Sequence, residues 1–112
     1  FGLEADMSAV LTDLEATIRS RRGGDASTSY VAKLFAAGLP KIAQKVGEEG
    51  VETVIAALSG DAAAVTGEAA DLLFHLTVLL ADCGVSIDAV LDELRRREGL
   101  SGLVEKAARP AA

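Results

Sequence analysis

If residues 67–81 form a helix, that helix is apolar around nearly its whole circumference. It nevertheless carries three ionisable side chains along one line. Glu68, Asp71 and His75 follow one another at spacings of three and four residues, which places them within about 60° of each other on a helix. A helix that is apolar all round is buried. Carboxylates in such a helix must be paired, protonated or bound to a metal, because desolvating an isolated carboxylate is prohibitive.

The preceding segment, residues 40–58, predicts an amphipathic helix whose charges form a single stripe. The charged side chains fall within an arc of about 100°, and the remaining arc is almost wholly apolar or small. They are Lys41, Lys45, Glu48, Glu49 and Glu52. Carboxylates this close repel one another by a few tenths of a kcal/mol per pair, so something positive should compensate them. Taken alone, the stripe favours an ordinary solvated helix face.

A short turn at residues 59–61 joins the two segments and predicts an antiparallel hairpin in which the acidic stripes face each other. Five carboxylates would then converge: Glu48, Glu49, Glu52, Glu68 and Asp71. A site made only of oxygen ligands suits Mg²⁺, or Mn²⁺. Zinc would prefer His and Cys, and a di-iron bundle needs paired Glu-x-x-His motifs. His75 is predicted to hydrogen-bond beside the site rather than to bind the metal directly.

Helical spacing marks three further segments, and no stretch alternates as a strand would, so the fold class is predicted to be all-α with four to five helices. These segments begin near Met7, after Ser27 or Ser29, and after Ser86. The predicted single domain spans residues 7–106, with 1–6 as a tag or alternative N-terminus and 107–112 as a frayed tail. A bundle of this size buries little surface, which favours a homo-oligomer.

The net charge of -6, from 17 acidic and 11 basic residues, argues against nucleic acid and against a polybasic membrane patch as partners. An acidic protein that binds a phosphorylated ligand needs a cation between them. Asp71, His75 and Asp82 interrupt the most apolar stretch, so no membrane span and a cytoplasmic location are expected. The single cysteine, Cys83, cannot form an intramolecular disulfide and is expected to be buried or half-buried.

Two strings carry a resemblance to a known family: KVGEEGVE at residues 45–52 and EAADLLFHL at residues 68–76. They resemble phosphoribosyl-ATP pyrophosphatases, which belong to the all-α, MazG-like nucleoside triphosphate pyrophosphohydrolases. The pattern E-E-x-x-E followed by E-x-x-D marks the superfamily. Ser29-Tyr30, Lys41-Ile42 and the run ending at His75 resemble the histidine-pathway member in particular. Val31 departs from that family, which usually has Thr there.

The resemblance implies Mg²⁺-dependent hydrolysis of 1-(5-phosphoribosyl)-ATP to 1-(5-phosphoribosyl)-AMP and pyrophosphate, the second step of histidine biosynthesis. It implies a cytoplasmic homodimer built as a dimeric helix bundle around the hairpin. The five carboxylates become metal ligands by analogy, with Glu49 the candidate to position the attacking water. Tyr30, Lys41 and Lys45 become candidates for substrate contact. For the two lysines, ion pairs on the helix surface are the competing interpretation.

Two rival functions remain open from the sequence. One is a house-cleaning pyrophosphohydrolase of other nucleoside triphosphates, which would share the same carboxylate pattern. The other is a non-enzymatic helical bundle or adaptor whose carboxylates hold a structural cation.

Overall fold

Five α-helices make up the chain in the computed structural model, which describes residues 2–98, with side chains from residue 9 onward. They are α1 (Gly2–Ser20), α2 (Tyr30–Ala37), α3 (Leu39–Ser59), α4 (Ala62–Cys83) and α5 (Ile87–Arg97). Residues 2–98 contain no strand, so the predicted all-α class is confirmed. The helix α1 includes residues 2–6, whose origin as a tag stays a prediction. The predicted frayed tail at 107–112 lies outside the described residues.

The helix boundaries follow from side-chain caps that the sequence supplies. Ser29, Asp61 and Ser86 each accept a hydrogen bond, at 3.1 Å, from the backbone N–H three residues later. Such caps satisfy N–H groups that the first turn of a helix leaves without partners. Gly60 and Gly84 end α3 and α4 with φ angles of 76° and 73°, a left-handed conformation that glycine adopts without steric penalty.

The α3–α4 hairpin is the main structural unit, because these helices pack along their length and only Gly60 and Asp61 connect them. The α1 helix packs against α4, α2 contacts both hairpin helices, and α5 packs on α1. The apolar core lies at the end of the hairpin where α3 begins and α4 finishes. It consists of Ile18, Leu34, Ile42, Val78 and Ala81. The acidic stripes lie between this core and the hairpin turn.

Burial of α4 differs from the sequence prediction, which placed the whole helix inside. His75, Thr77, Val78 and Ala81 are buried, but Leu73 is 50% exposed. The buried residues of α4 all lie at or beyond His75, where α4 contacts Tyr30 and the apolar core. Cys83 is exposed rather than buried, because it is the last residue of α4.

The length and composition of α4 are also sufficient to cross a membrane. The sequence expectation that no segment reaches this threshold is therefore wrong for residues 62–83. The core helix of a soluble protein passes the same test, so this property alone assigns no membrane association.

Candidate active site

Three carboxylates from the two hairpin helices form an acidic cluster: Glu49 on α3, and Glu68 and Asp71 on α4. Each can offer a carboxylate oxygen within 4.8 Å of the others. Glu68 and Asp71 share one face of α4 because they are three residues apart, and the antiparallel packing brings Glu49 opposite them. Glu49 is buried, Glu68 is half-buried and Asp71 is exposed, so the cluster opens to solvent on the Asp71 side.

Two oxygens of the acidic cluster are buried without a hydrogen-bond partner among the described residues. They are Oε2 of Glu49 and Oε2 of Glu68. Leaving a buried polar group unsatisfied costs about 1–3 kcal/mol, and more for a charged group. A hard divalent cation would satisfy both oxygens, and carboxylates are the ligands it prefers. The donor set therefore fits Mg²⁺ or Mn²⁺.

Glu52 adjoins the acidic cluster through Glu68. Hydrogen bonding to Glu52, then burial, then hydrogen bonding to Glu49 raise the pKa of Glu68 from 4.5 to about 7. The charged form of Glu68 is disfavoured because neighbouring carboxylates repel it. A proton on Glu68 thus takes the place of positive charge when no cation is bound.

Glu48 is not one of the three residues of the acidic cluster. Its Oε1 accepts a hydrogen bond from Gln44 at 2.7 Å and its Oε2 lies 3.3 Å from Nζ of Lys45. These two contacts, that from Gln44 first, lower the pKa of Glu48. Glu48 and Glu52 border the same open groove of about 520 Å³ on the surface of α3. Of the five predicted ligands, the structure gathers three, places Glu52 against Glu68, and leaves Glu48 in an ion pair.

The three residues predicted to contact substrate line a single cavity of about 190 Å³. Tyr30 comes from α2, whereas Lys41 and Lys45 come from α3. Lys45 borders the acidic cluster as well, since its Nζ lies 3.8 Å from Oε1 of Glu49. Lys33 also lines the cavity, and sequence reasoning missed it. Its spacing of three residues from Tyr30 on one helix was the available signal.

His75 forms a hydrogen bond with Tyr30, and its ring is not part of the acidic cluster. Its Nε2 lies 2.7 Å from the Tyr30 hydroxyl, and its Nδ1 lies 2.8 Å from the backbone carbonyl of Asp71. Because a carbonyl only accepts, Nδ1 carries a hydrogen, and Nε2 of the neutral ring accepts the hydroxyl proton of Tyr30. The Tyr30 ring also stacks on Phe74, with centroids 6.2 Å apart. The α2 helix is thereby fastened to α4 beside the acidic cluster.

Comparison with known proteins decides the family. The sequence model of the phosphoribosyl-ATP pyrophosphohydrolase family matches residues 11–98. The chain belongs to this family. Among its relatives, the phosphoribosyl-ATP pyrophosphatase of Rhizorhabdus wittichii is 69% identical over 104 residues, which cover 93% of this chain and 98% of the relative. That of Novosphingobium aromaticivorans is 66% identical, covering 89% and 94%. That of Azospirillum brasilense is 59% identical, covering 91% and 92%.

The family, the hydrolase class and the histidine-pathway step that the sequence predicted are all confirmed by these matches.

The departure from the family at Val31 can be related to its position in the structure. Val31 packs against the apolar core, and it does not line the cavity beside Tyr30. The valine therefore contributes an apolar contact to the core rather than a group to the cavity.

Proposed function

We propose that this chain hydrolyses phosphoribosyl-ATP between its α- and β-phosphates with Mg²⁺ held by Glu49, Glu68 and Asp71. Water adds across the cleaved bond, giving the monophosphate and pyrophosphate. The observation that carries the proposal is the pair of buried carboxylate oxygens without partners, which belong to Glu49 and Glu68. Mn²⁺ has the same ligand preference and is expected to replace Mg²⁺.

The proposed roles follow from the position of each side chain. Mg²⁺ in the acidic cluster would neutralise charge on the phosphate oxygens and favour departure of pyrophosphate. Glu49 is also assigned to align the attacking water, the role that the family resemblance implies, because it is the buried member of the acidic cluster and lies beside the proposed metal position. Lys45 lies between the acidic cluster and the cavity, so its ammonium group can contact a phosphate oxygen beside the metal site.

Glu52 and Glu48 complete the proposed set of metal ligands in a less direct way. Glu52 already contacts Glu68 and can join the coordination sphere by turning its carboxylate. Glu48 would first have to exchange its contacts with Gln44 and Lys45 for the metal. Release of Lys45 in that exchange would free its ammonium group for substrate.

A homodimer in the cytoplasm is the proposed working form. Val51, Val54, Ile55 and Leu58 form one stripe along α3 and are between 58% and 84% exposed. Their spacing of three and four residues is typical of a helix face that packs on another helix. An exposed apolar stripe of this kind marks an interaction surface, and a second copy of the chain would offer a matching stripe.

Pyrophosphate release from phosphoribosyl-ATP, compared with release from a panel of ordinary and modified nucleoside triphosphates, tests the proposed substrate. The expected result is a strong preference for phosphoribosyl-ATP that depends on Mg²⁺. Preference for a deoxynucleotide would instead support a house-cleaning hydrolase. No turnover of any member of the panel would support a non-enzymatic bundle.

A further inference from the structure

Three lysine side chains line the cavity between α2 and α3, together with the Tyr30 side chain. They are Lys33, Lys41 and Lys45. We propose that this cavity binds the monophosphate of the substrate's phosphoribosyl group, with Lys33 as a binding residue for that phosphate. The inference rests on the proposed function, because only a substrate with a phosphate outside its triphosphate needs such a subsite.

Uncompensated charge is the first argument for an anion in the cavity. Lys45 is paired with Glu48, but within the described part of the chain neither Lys33 nor Lys41 has a carboxylate at salt-bridge distance. Like charges that border one cavity repel each other, and an anion between them relieves that repulsion. A phosphate monoester carries about two negative charges near neutral pH. Its charge matches that of the two lysines that have no salt bridge in the described residues.

The position of the cavity separates it from the triphosphate site. Lys45 is the only lysine of the three that reaches the acidic cluster in the described structure, whereas Lys33 lies on α2. The metal compensates the charge of the triphosphate. A monophosphate at a distance from the metal has to be neutralised by side chains alone, and Lys33 and Lys41 supply the required charge.

The hydrogen-bonding state of Tyr30 adds chemical selectivity. Because Nδ1 of His75 donates to the Asp71 carbonyl, Nε2 of the neutral ring is the acceptor for the Tyr30 hydroxyl proton, and a ligand group that reaches the Tyr30 oxygen has to donate a hydrogen bond to it. A ribose hydroxyl is a suitable donor, whereas an ionised phosphate oxygen is not. Tyr30 and the three lysines line the same cavity, and this combination of residue types suits a sugar phosphate.

Binding of ribose 5-phosphate to the whole protein in the presence of a chelator tests the inference without requiring catalysis. We expect Lys33→Gln to weaken this binding by about tenfold, the value of one charge-assisted hydrogen bond, and Lys33→Arg to retain it. Arg21→Gln removes an exposed positive charge away from the cavity and should behave as the wild type. Equal binding by Lys33→Gln and Arg21→Gln, or no binding by the wild type, would overturn the inference.

A second arm distinguishes the monophosphate from the triphosphate. The Mg²⁺ complex of α,β-methylene-ATP, which lacks the phosphoribosyl group, should bind Lys33→Gln and wild type equally. If Lys33→Gln weakens binding of this analogue as much as that of ribose 5-phosphate, the cavity is a triphosphate subsite and the inference is wrong. With phosphoribosyl-ATP, Lys33→Gln should raise KM and leave kcat nearly unchanged.

Failure of the proposed function would look different from failure of this inference. Lys33-dependent binding of ribose 5-phosphate by a protein that releases no pyrophosphate from phosphoribosyl-ATP would refute the activity and support the subsite. Turnover of phosphoribosyl-ATP with the same KM in Lys33→Gln and wild type would support the activity and refute the subsite.

Discussion

Glu49 and Glu68 face each other across the α3–α4 hairpin, and each buries one carboxylate oxygen that has no partner among the side chains described. The two helices hold these like charges together because their apolar residues pack elsewhere along the hairpin. This arrangement concentrates unsatisfied negative charge in the folded state. A cation that binds the folded chain but not the unfolded chain therefore stabilises the fold.

Mg²⁺ should therefore stabilise the folded protein. At a free concentration of one hundred times Kd the gain is about 2.7 kcal/mol, which corresponds to several degrees in Tm for a domain of this size. Thermal unfolding in millimolar Mg²⁺ and in chelator, at matched ionic strength, measures the effect. Equal Tm values in the two conditions would count against a preformed metal site.

Without metal, stability should fall as the pH rises from about 4.5 to about 7. The pKa of Glu68 is raised from 4.5 to about 7 in the folded chain, so between these values the folded state retains a proton that the unfolded chain has lost. Denaturant unfolding in chelator across this range should show the decline, and Glu68→Gln should reduce it. Because Mg²⁺ competes with the proton, its stabilising effect should be larger at pH 8 than at pH 5. A pH profile of Glu68→Gln identical to that of the wild type would contradict this.

The Tyr30–His75 hydrogen bond should contribute measurably to stability. Tyr30→Phe keeps the ring that stacks on Phe74 but leaves Nε2 of the buried His75 without its 2.7 Å partner. The expected loss is about 1–3 kcal/mol of unfolding free energy. A double-mutant cycle of Tyr30→Phe with His75→Leu isolates the pair. Strictly additive effects would mean that the hydrogen bond contributes nothing.

The exposed stripe on α3 should be a dimer interface. Leu58 is 84% exposed, and Leu58→Lys would place a charge within the proposed apolar contact, which is costly when buried. Sedimentation should give twice the 11.5 kDa chain mass for the wild type and a monomer for Leu58→Lys. Leu94→Lys, which changes an exposed leucine on α5, is the matched control. A dimer that survives Leu58→Lys but dissociates in Leu94→Lys would place the interface on α5 instead.

Much of the hairpin and of its acidic cluster was predictable because both depend on local rules. The caps at Asp61 and Ser86 and the three-residue spacing of Glu68 and Asp71 can be found without knowing the tertiary structure. Glu48 shows the limit of such rules. Adjacent residues are 100° apart on a helix, so Glu48 and Glu49 leave α3 in different directions. Only the packing of α3 on α4 shows that Glu49 is the one opposite Glu68 and Asp71.

Other features depended on tertiary packing alone. Lys33 shares one face of α2 with Tyr30, but the cavity that both residues line exists only because α2 lies against α3, so the local pattern alone does not reveal the cavity. The exposure of Leu73 reflects how far along α4 the burial within one chain extends, since the buried residues of this helix begin at His75. The apolar pattern of α4 indicates a buried helix but not whether the same chain or a second copy buries it.

Direct titration with Mn²⁺, followed by electron paramagnetic resonance, tests the central claim that Glu49, Glu68 and Asp71 form a metal site. The wild type should bind Mn²⁺ in competition with Mg²⁺. Glu49→Gln and Asp71→Asn should each weaken binding by about tenfold or more while retaining helical circular dichroism, and Glu98→Gln, an exposed acid at the end of α5, should bind as the wild type does. Unchanged Mn²⁺ affinity in Glu49→Gln and Asp71→Asn would contradict the account.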